Sequence, residues 1–219
     1  MKGQRVNSSS GRRYGGLDPA ERVRQRRTAV LEAATDLFAE LGYRNTSVKQ
    51  ICDEAGLTQR YFYESFADRE AALMAVYDEI TGQLRTEALA AIEAADPDDL
   101  DVVAERGLSA FIGFLTADTR RARIVLIEVV GVSPRLETRR HAVLHDFADL
   151  VTNAWLGRGE PTSQQRLTAV ALVGGVNHLL VDWLLGGKTQ RPAELTRTCA
   201  TLFAGARHQL DPTGNTSPP

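Results

Sequence analysis

Hydrophobic residues recur at every third or fourth position through most of this chain, which is the spacing of amphipathic helices. One such stripe runs from Val30 to Leu41, and another runs from Leu73 to Ala88. No segment alternates apolar and polar residues in the way that a half-buried strand does. The pattern therefore predicts an all-α fold of about nine helices.

Two short helices joined by a tight turn are predicted soon after the first stripe. Ser47 and Gln50 form the capping-box pattern that opens one helix, and Gly56 can adopt the left-handed conformation that ends it. Thr58 is the expected N-cap of the next helix, which should bury Phe62. Two short helices arranged in this way form a helix-turn-helix.

The second of these helices has an outer face of hydrogen-bond donors, a cation and aromatic hydroxyls. Four residues form this face: Gln59, Arg60, Tyr61 and Tyr63. Arg and Gln can make paired hydrogen bonds with guanine and adenine edges in the major groove, and Tyr hydroxyls commonly reach phosphate. The sequence therefore predicts a DNA-reading face, although an ordinary corner between two helices, with its polar face in water, would show a similar pattern.

The stretch from Val30 to Leu73 resembles the DNA-binding domain of TetR-family transcriptional regulators. The matching residues are Ala33-Ala34, Leu37-Phe38, Gly42-Tyr43, Thr46-Ser47-Val48, Ile51, Ala55-Gly56-Leu57, Tyr63, Phe66 and Arg69 before Glu70. Many members have a small residue at the position of Arg60 and Lys at the position of Arg69. The rest of the chain resembles the family only in being helical and of suitable length.

Together, the helix pattern and the resemblance predict a set of DNA-contacting residues. The set is Thr46, Ser47, Lys49, Thr58, Gln59, Arg60, Tyr61, Tyr63 and Arg69. Arg69 stands in the first turn of the following helix, where it could hold a phosphate. The alternative is that Arg69 only balances the charge of Glu70.

Charge is distributed unevenly along the 219 residues, whose formal net charge is −2. Residues 1–27 include eight Lys or Arg and two acidic residues, whereas residues 70–219 include 14 basic and 19 acidic residues. This asymmetry favours an anionic polymer at one end. The predicted organisation is a disordered basic arm (1–17), a three-helix helix-turn-helix domain (18–67), a larger helical ligand-binding and dimerisation domain (68–210) and a disordered tail (211–219). The arm either contacts DNA or only keeps the protein soluble.

The last two predicted helices, over 162–185 and 192–210, include one that is apolar on nearly all sides. A helix of that kind needs partners on all faces, so we expect this pair to pack on a second copy as a four-helix bundle. The family resemblance implies the same homodimer. Gly174 and Gly175 would allow close helix approach or leave room for a ligand, unless they only kink the helix.

An effector pocket is predicted among the helices between residues 100 and 185, with apolar walls and a few polar groups to orient an apolar ligand. The expected lining is Phe111, Phe114, Leu115, Ile127, Glu128, Phe147, Val173, Asn177 and His178. Apolar residues at helical spacing are also typical of an ordinary core. His141 and His145 are four residues apart, a spacing that could bind a metal. The apolar stripe of the same helix turns both rings mostly toward solvent, so no metal or cofactor is predicted.

Several features bear on the compartment. Cys52 and Cys199 lie on apolar helix faces and are expected to be buried free thiols. The N-terminal residues have no apolar stretch typical of a signal peptide. The most apolar segment, 167–185, is interrupted by polar residues, which favours a buried helix over a membrane span. A cytoplasmic protein is expected.

The function predicted from these features is a homodimeric, sequence-specific DNA-binding regulator. It would be a repressor that is released from an inverted-repeat operator by a small, largely apolar ligand. No catalytic triad, phosphate loop or pair of carboxylates indicates an enzyme. The alternatives are a helical protein-interaction module, and an activator without a small-molecule input.

Overall fold

The computed structural model describes residues 18–156 and 160–210, with only the backbone for residues 155 and 156. This part of the chain forms nine α-helices and no strand, so the predicted all-α class is confirmed. The helices are α1 (Pro19–Leu41), α2 (Val48–Glu54), α3 (Gln59–Ser65), α4 (Arg69–Glu93), α5 (Leu100–Ala117), α6 (Thr119–Arg123), α7 (Pro134–Leu156), α8 (Ser163–Leu185) and α9 (Pro192–Leu210). The predicted arm and tail lie outside the described residues.

Local side-chain chemistry sets the ends of α2 and α3. Ser47 accepts a hydrogen bond from the backbone N–H of Gln50, and the Gln50 side chain accepts one from the Ser47 backbone, which is the predicted capping box. Gly56 follows α2 with a φ of +63°, in the left-handed region. Thr58 is the N-cap of α3, but its side chain makes no capping hydrogen bond.

Two hydrophobic cores hold the helices together. The first core packs α1, α2 and α3 against the first half of α4, with Phe38, Phe62 and Tyr77 buried inside it. The second core joins α5, α8 and α9 to the middle of α4, and it buries Ile112 and Trp183. Helix α4 contributes to both cores and therefore connects the two halves of the molecule.

A π-turn over Ile124–Glu128 follows α6 and also contacts both cores. Ile124 and Val129 are buried in the first core, whereas Leu126 is buried in the second core. The carbonyl of Ile124 accepts a hydrogen bond from the N–H of Val129, five residues later, at 3.4 Å. The turn thus places a short, irregular element at the junction of the two halves.

Helix α8 is, among the described helices, the one that is long and apolar enough to cross a membrane, judged by length and composition only. A core helix of a soluble protein can have the same composition, and α8 buries Val176, Leu180 and Trp183 against its neighbours. Its opposite side is exposed and includes Leu167, which is 71% exposed. The residues that the structure describes therefore leave much of the apolar surface of α8 uncovered.

Candidate nucleic-acid interface and ligand cavity

Helix α3 presents a polar face to solvent. Gln59, Arg60 and Tyr63 are exposed, and the Arg60 side chain is 84% accessible even though it pairs with Glu64 at 3.2 Å. Phe62 faces the other way and is completely buried. One side of this short helix therefore anchors it in the first core, and the other side is free to enter a groove.

The start of α1 supports α3 through two arginines. The Arg26 guanidinium lies 4.4 Å from the centroid of the Tyr61 ring and 3.6 Å from the Glu64 carboxylate. Arg27 lies 4.4 Å from the centroid of the Phe66 ring and donates a hydrogen bond to the Ser65 carbonyl. These contacts were not foreseen from the sequence, where the arginines before residue 28 counted only as positive charge.

The predicted contacts on α2 and at its edges are exposed. Ser47 and Thr58 stand at the N-caps of α2 and α3, and both are open to solvent. Lys49 pairs with Asp53 at 2.7 Å, and the hydrogen bond with that carboxylate raises the pKa of Lys49. The ammonium group therefore stays charged at neutral pH.

Two of the predicted DNA contacts need correction. Thr46 is completely buried, and its hydroxyl donates to the carbonyl groups of Leu37 and Gly42 at 3.1 and 2.9 Å. Its side chain therefore supports the turn before α2 and cannot reach DNA. Arg69 is half-buried, with its guanidinium 4.2 Å from the centroid of the Tyr43 ring and bonded to the Thr46 carbonyl. It holds this turn instead of presenting a free cation for a phosphate.

An apolar cavity lies among α4, α5, α7, α8 and α9, with a volume of about 80 Å³. Phe111 and Phe147 stand in its wall with their rings edge to face and their centroids 5.1 Å apart. The remaining lining is aliphatic, apart from Phe203: Ala88, Ile92, Val103, Ala104, Gly107, Leu108, Leu150, Val151, Ala154, Val173 and Val176. A wall of this composition suits a hydrocarbon ligand.

Three residues of the predicted effector pocket stand in the wall of this cavity, namely Phe111, Phe147 and Val173. The other six residues predicted to line it lie elsewhere: Phe114, Leu115, Ile127, Glu128, Asn177 and His178. Leu115 and Ile127 pack in or against the second core, and the Arg121 guanidinium covers the Phe114 ring. His178 is exposed on α8, and Asn177 beside it is half-buried. None of the polar groups predicted for the pocket therefore lines this cavity.

Glu128 is the clearest of these corrections because it has partners of its own. Its carboxylate accepts a hydrogen bond from the backbone N–H of Tyr43 at 2.8 Å and another from Arg123 at 3.1 Å. The sequence contains a signal for such a role, since a single carboxylate in an apolar run requires compensating partners. It did not show that one of the partners lies in the first half of the chain.

His141 and His145 are exposed on α7, with their Nε2 atoms 3.1 Å apart. This pair has no third ligand: among the described residues, no group of three or more His, Cys, Asp or Glu could hold a metal ion.

Cys52 and Cys199 are buried free thiols, as expected, and burial raises the pKa of each.

Several exposed apolar residues lie on the outer side of α8, and one more lies on α9. We call this set the α8–α9 surface, and its residues are Leu167, Val170, Gly174, Gly175 and Leu202. A Cβ added at either glycine would meet no atom of the described residues within 4 Å, so the packing of that part of the chain requires neither glycine. Neither of them lines the ligand cavity.

A solvent-facing helix-turn-helix on a helical body with an apolar cavity defines the class of helix-turn-helix regulators. Residues 30–76 match the family model described as bacterial regulatory proteins of the tetR family. This match confirms the resemblance of the segment to the DNA-binding domain of the family. Members of the family are transcriptional regulators and not enzymes.

Known proteins resemble the chain well beyond the helix-turn-helix. An uncharacterized HTH-type transcriptional regulator of Haemophilus influenzae is 27% identical over 137 residues, which cover 61% of this chain and 64% of that protein. The fatty acid degradation regulator FadR of Bacillus halodurans has a TM-score of 0.73 at 19% identity, covering 82% of this chain and 95% of that one. FadR of Bacillus subtilis, solved in complex with stearoyl-CoA, has a TM-score of 0.72 at 17% identity, covering 82% and 98%. At these identities the solved structures show a shared fold.

Proposed function

We propose that this protein is a homodimeric transcriptional repressor that reads an inverted-repeat operator with α3 and leaves it when an apolar ligand enters the cavity. The observation that carries the proposal is the exposed face of α3, which is fixed from behind by Phe62 and from the side by Arg26 and Arg27. We place the protein in the cytoplasm, where its DNA target lies and both buried thiols stay reduced.

The DNA contacts that we propose divide into base readers and phosphate contacts. Gln59 and Arg60 are the proposed base readers, with Tyr61 beside them, because amide and guanidinium groups match the edges of adenine and guanine. Tyr63 is the proposed phosphate contact, since its side chain is exposed and its hydroxyl can donate a hydrogen bond. Ser47, Lys49 and Thr58 are exposed on or beside α2, and their contacts with phosphates would fix the position of α2 on the DNA backbone.

The dimer that we propose forms through the α8–α9 surface. Leu167 is 71% exposed and Leu202 is 60% exposed, although both belong to helices that pack well on their inner sides. A second copy would bury these side chains, and two such helix pairs would form a four-helix bundle. Gly174 and Gly175 would let the two copies of α8 approach closely.

The ligand that we propose has a long acyl chain. The cavity walls are apolar, which suits a hydrocarbon chain, and the similar FadR protein of Bacillus subtilis was solved with stearoyl-CoA. A cavity of about 80 Å³ is narrow for such a chain, so binding would have to spread the helices around Phe111 and Phe147. This movement is the proposed origin of the change in DNA affinity, because a ligand acts only by favouring one of two states.

A mobility-shift titration with the DNA upstream of the protein's own gene tests this proposal. We expect retardation by the protein alone, and stearoyl-CoA should weaken binding by about 5- to 150-fold. Coenzyme A without an acyl chain is the matched control and should have no effect. Retardation that stearoyl-CoA leaves unchanged would contradict the ligand assignment alone, whereas no binding to any upstream segment would contradict the regulator itself.

A further inference from the structure

Glu128 joins the ligand-binding half of the molecule to the helix-turn-helix half. Its side chain is only 11% exposed and lies in the apolar run Ile124–Val130. A carboxylate in such surroundings lowers stability unless hydrogen bonds compensate it. Its oxygens accept hydrogen bonds from the backbone N–H of Tyr43 and from Arg123. We call the first of these the Glu128–Tyr43 contact.

The chain around Tyr43 is shaped to receive the carboxylate. Gly42 ends α1 with a φ of +84°, and a Cβ added there would come within 3.2 Å of Glu128 Oε2. Tyr43 then begins a 3₁₀ turn over Tyr43–Asn45, and its N–H is one of the donors that the start of a helical turn leaves without an internal partner. Glu128 satisfies this donor from the other half of the molecule.

The Glu128–Tyr43 contact continues through a series of contacts to α2. The Tyr43 ring lies beneath the Arg69 guanidinium, which donates to the carbonyl of Thr46. Thr46 is fixed by its own buried hydroxyl, and the next residue, Ser47, caps α2. A displacement of Glu128 would therefore act on the turn that orients the first helix of the helix-turn-helix.

On its other side, Glu128 is the last residue of the π-turn. This turn places Leu126 in the second core, against which the cavity residues Phe111 and Phe147 also pack. A π-turn holds one residue more than a regular α-helical turn. If its register changed to α-helical, Glu128 at its end and the residues that follow would rotate about the helix axis by about 100°, which is the angle per residue of an α-helix. That rotation would carry Glu128 away from Tyr43.

We propose that Glu128 is a positioning residue that couples the ligand cavity to the orientation of the helix-turn-helix. In the DNA-binding state the π-turn holds the carboxylate against Tyr43. When a ligand spreads the helices around Phe147, the π-turn shifts and the Glu128–Tyr43 contact opens. This inference rests on the proposed function, since it requires that the protein bind DNA under ligand control.

Two variants of the full-length protein separate coupling from simple packing. Glu128→Leu has a similar volume and suits the apolar surroundings, but it cannot accept a hydrogen bond from Tyr43. Glu128→Gln is the matched control because its amide oxygen can still accept that bond. Circular dichroism checks that both variants are folded, and Glu128→Ala replaces the leucine variant if that variant is not.

Hydrogen exchange of residues 124–130, with and without operator DNA, is the measurement that needs no ligand. Coupling is reciprocal, so DNA binding must also stabilise the π-turn. We expect DNA to slow exchange in this segment by about fivefold or more in the wild type and in Glu128→Gln, and to have no effect in Glu128→Leu. A leucine variant that responds to DNA as the wild type does would overturn the proposal.

The titration with stearoyl-CoA supplies the second readout. We expect Glu128→Leu to bind the operator about equally well with and without stearoyl-CoA, and Glu128→Gln to keep the effect seen in the wild type.

The results that would contradict the proposed function differ from those that would contradict the role of Glu128. A wild type that does not bind DNA contradicts the proposed function, whereas one that binds DNA with no change at residues 124–130 contradicts the role of Glu128. If stearoyl-CoA has no effect but the π-turn responds to DNA as described, the ligand is wrong and the role of Glu128 is supported.

Discussion

At the scale of single residues, Arg60 has the position and the freedom of a base reader. Its side chain is 84% exposed, and the Glu64 carboxylate at 3.2 Å holds the guanidinium on the outer side of α3. A bidentate contact between Arg and guanine discriminates against other bases by about 1–3 kcal/mol. The role of Arg60 can therefore be separated from that of a cation that only meets phosphate.

We predict that Arg60→Ala weakens operator binding by about 5- to 150-fold and leaves binding to unrelated DNA nearly unchanged. Fluorescence anisotropy with both DNA fragments measures the two affinities. Arg85→Ala removes an exposed arginine from α4 and is the matched control. An equal loss on both fragments would make Arg60 a phosphate contact, and no loss on either would contradict its assignment to the DNA face.

Asp118 provides a test at the junction of α5 and α6. It accepts a hydrogen bond from the backbone of Arg120 at 3.0 Å and pairs with the Arg120 guanidinium at 2.7 Å, and that guanidinium also binds Asp36 on α1. The side-chain hydrogen bond with Arg120 lowers the pKa of Asp118 below its usual value of 3.8. A carboxyl whose pKa is lower in the folded state stabilises that state above the unfolded-state pKa, and this contribution is lost as the pH falls through the folded-state pKa.

We expect Asp118→Asn to lower the free energy of unfolding by about 0.5–1 kcal/mol at pH 7, because Asn keeps the helix cap and loses only the charge. The difference from the wild type should shrink as the pH falls below 3.8. Urea unfolding at a series of pH values measures it. A difference that stays constant down to pH 2 would show that the charge of Asp118 contributes nothing.

Residues whose partners lie nearby in sequence could be predicted, and residues with distant partners could not. The capping box of Ser47 and Gln50 spans four residues, so its pattern is visible in the sequence and the structure shows it. The sequence predicts roles toward DNA or ligand for Thr46, Arg69 and Glu128, because each is polar in a predicted functional region. Their actual partners depend on how α1, α4 and the π-turn meet.

At the scale of elements, the outer side of α8 is the feature that one chain leaves unexplained. The helix is apolar on this side, and Gly174 lies there with open space around it. Glycine in a helix interior lowers stability by about 1 kcal/mol relative to Ala. Since no contact among the described residues requires this glycine, we attribute it to the close approach of a second copy in the proposed dimer.

We predict that Gly174→Leu raises the dissociation constant of the dimer by about tenfold or more without unfolding the chain, because a Cβ at this position meets no described atom of its own subunit within 4 Å. Gly82→Leu is the matched control, since Gly82 is exposed on α4 and a Cβ added there also meets no described atom within 4 Å. This variant should not change the dissociation constant of the dimer. Sedimentation velocity over a range of concentrations gives both constants. A Gly174 variant that dimerises with the dissociation constant of the wild type would contradict the assignment of the dimer to the α8–α9 surface.

Helical periodicity predicted the elements well, but it did not predict the junction between them. A period of 3.6 residues identifies long amphipathic helices such as α1 and α4. The π-turn over Ile124–Glu128 departs from this period by one residue, and its apolar residues are shared between two cores. Local periodicity cannot show which core will bury each of them.

At the scale of the whole molecule, the proposed dimer places two copies of α3 as reading helices. The first core fixes α3 to α1 and α4, and the second core fixes α4 to the helices that would form the dimer. The spacing of the two copies of α3 would then depend on the helices around the cavity. The family resemblance predicts this organisation, with DNA reading in the first part of the chain and ligand binding and dimerisation in the rest. It does not predict the pocket residues: only three of the nine line the cavity, because most apolar side chains between the helices belong to the closed core.

Footprinting on the upstream operator is the measurement that tests the central claim most directly. Two-fold symmetry of the dimer should protect two half-sites in inverted orientation, with centres about one helical turn or slightly more apart. Titration to saturation should give two chains for each operator. Protection of a single, unrepeated half-site, or saturation by one chain, would contradict the account.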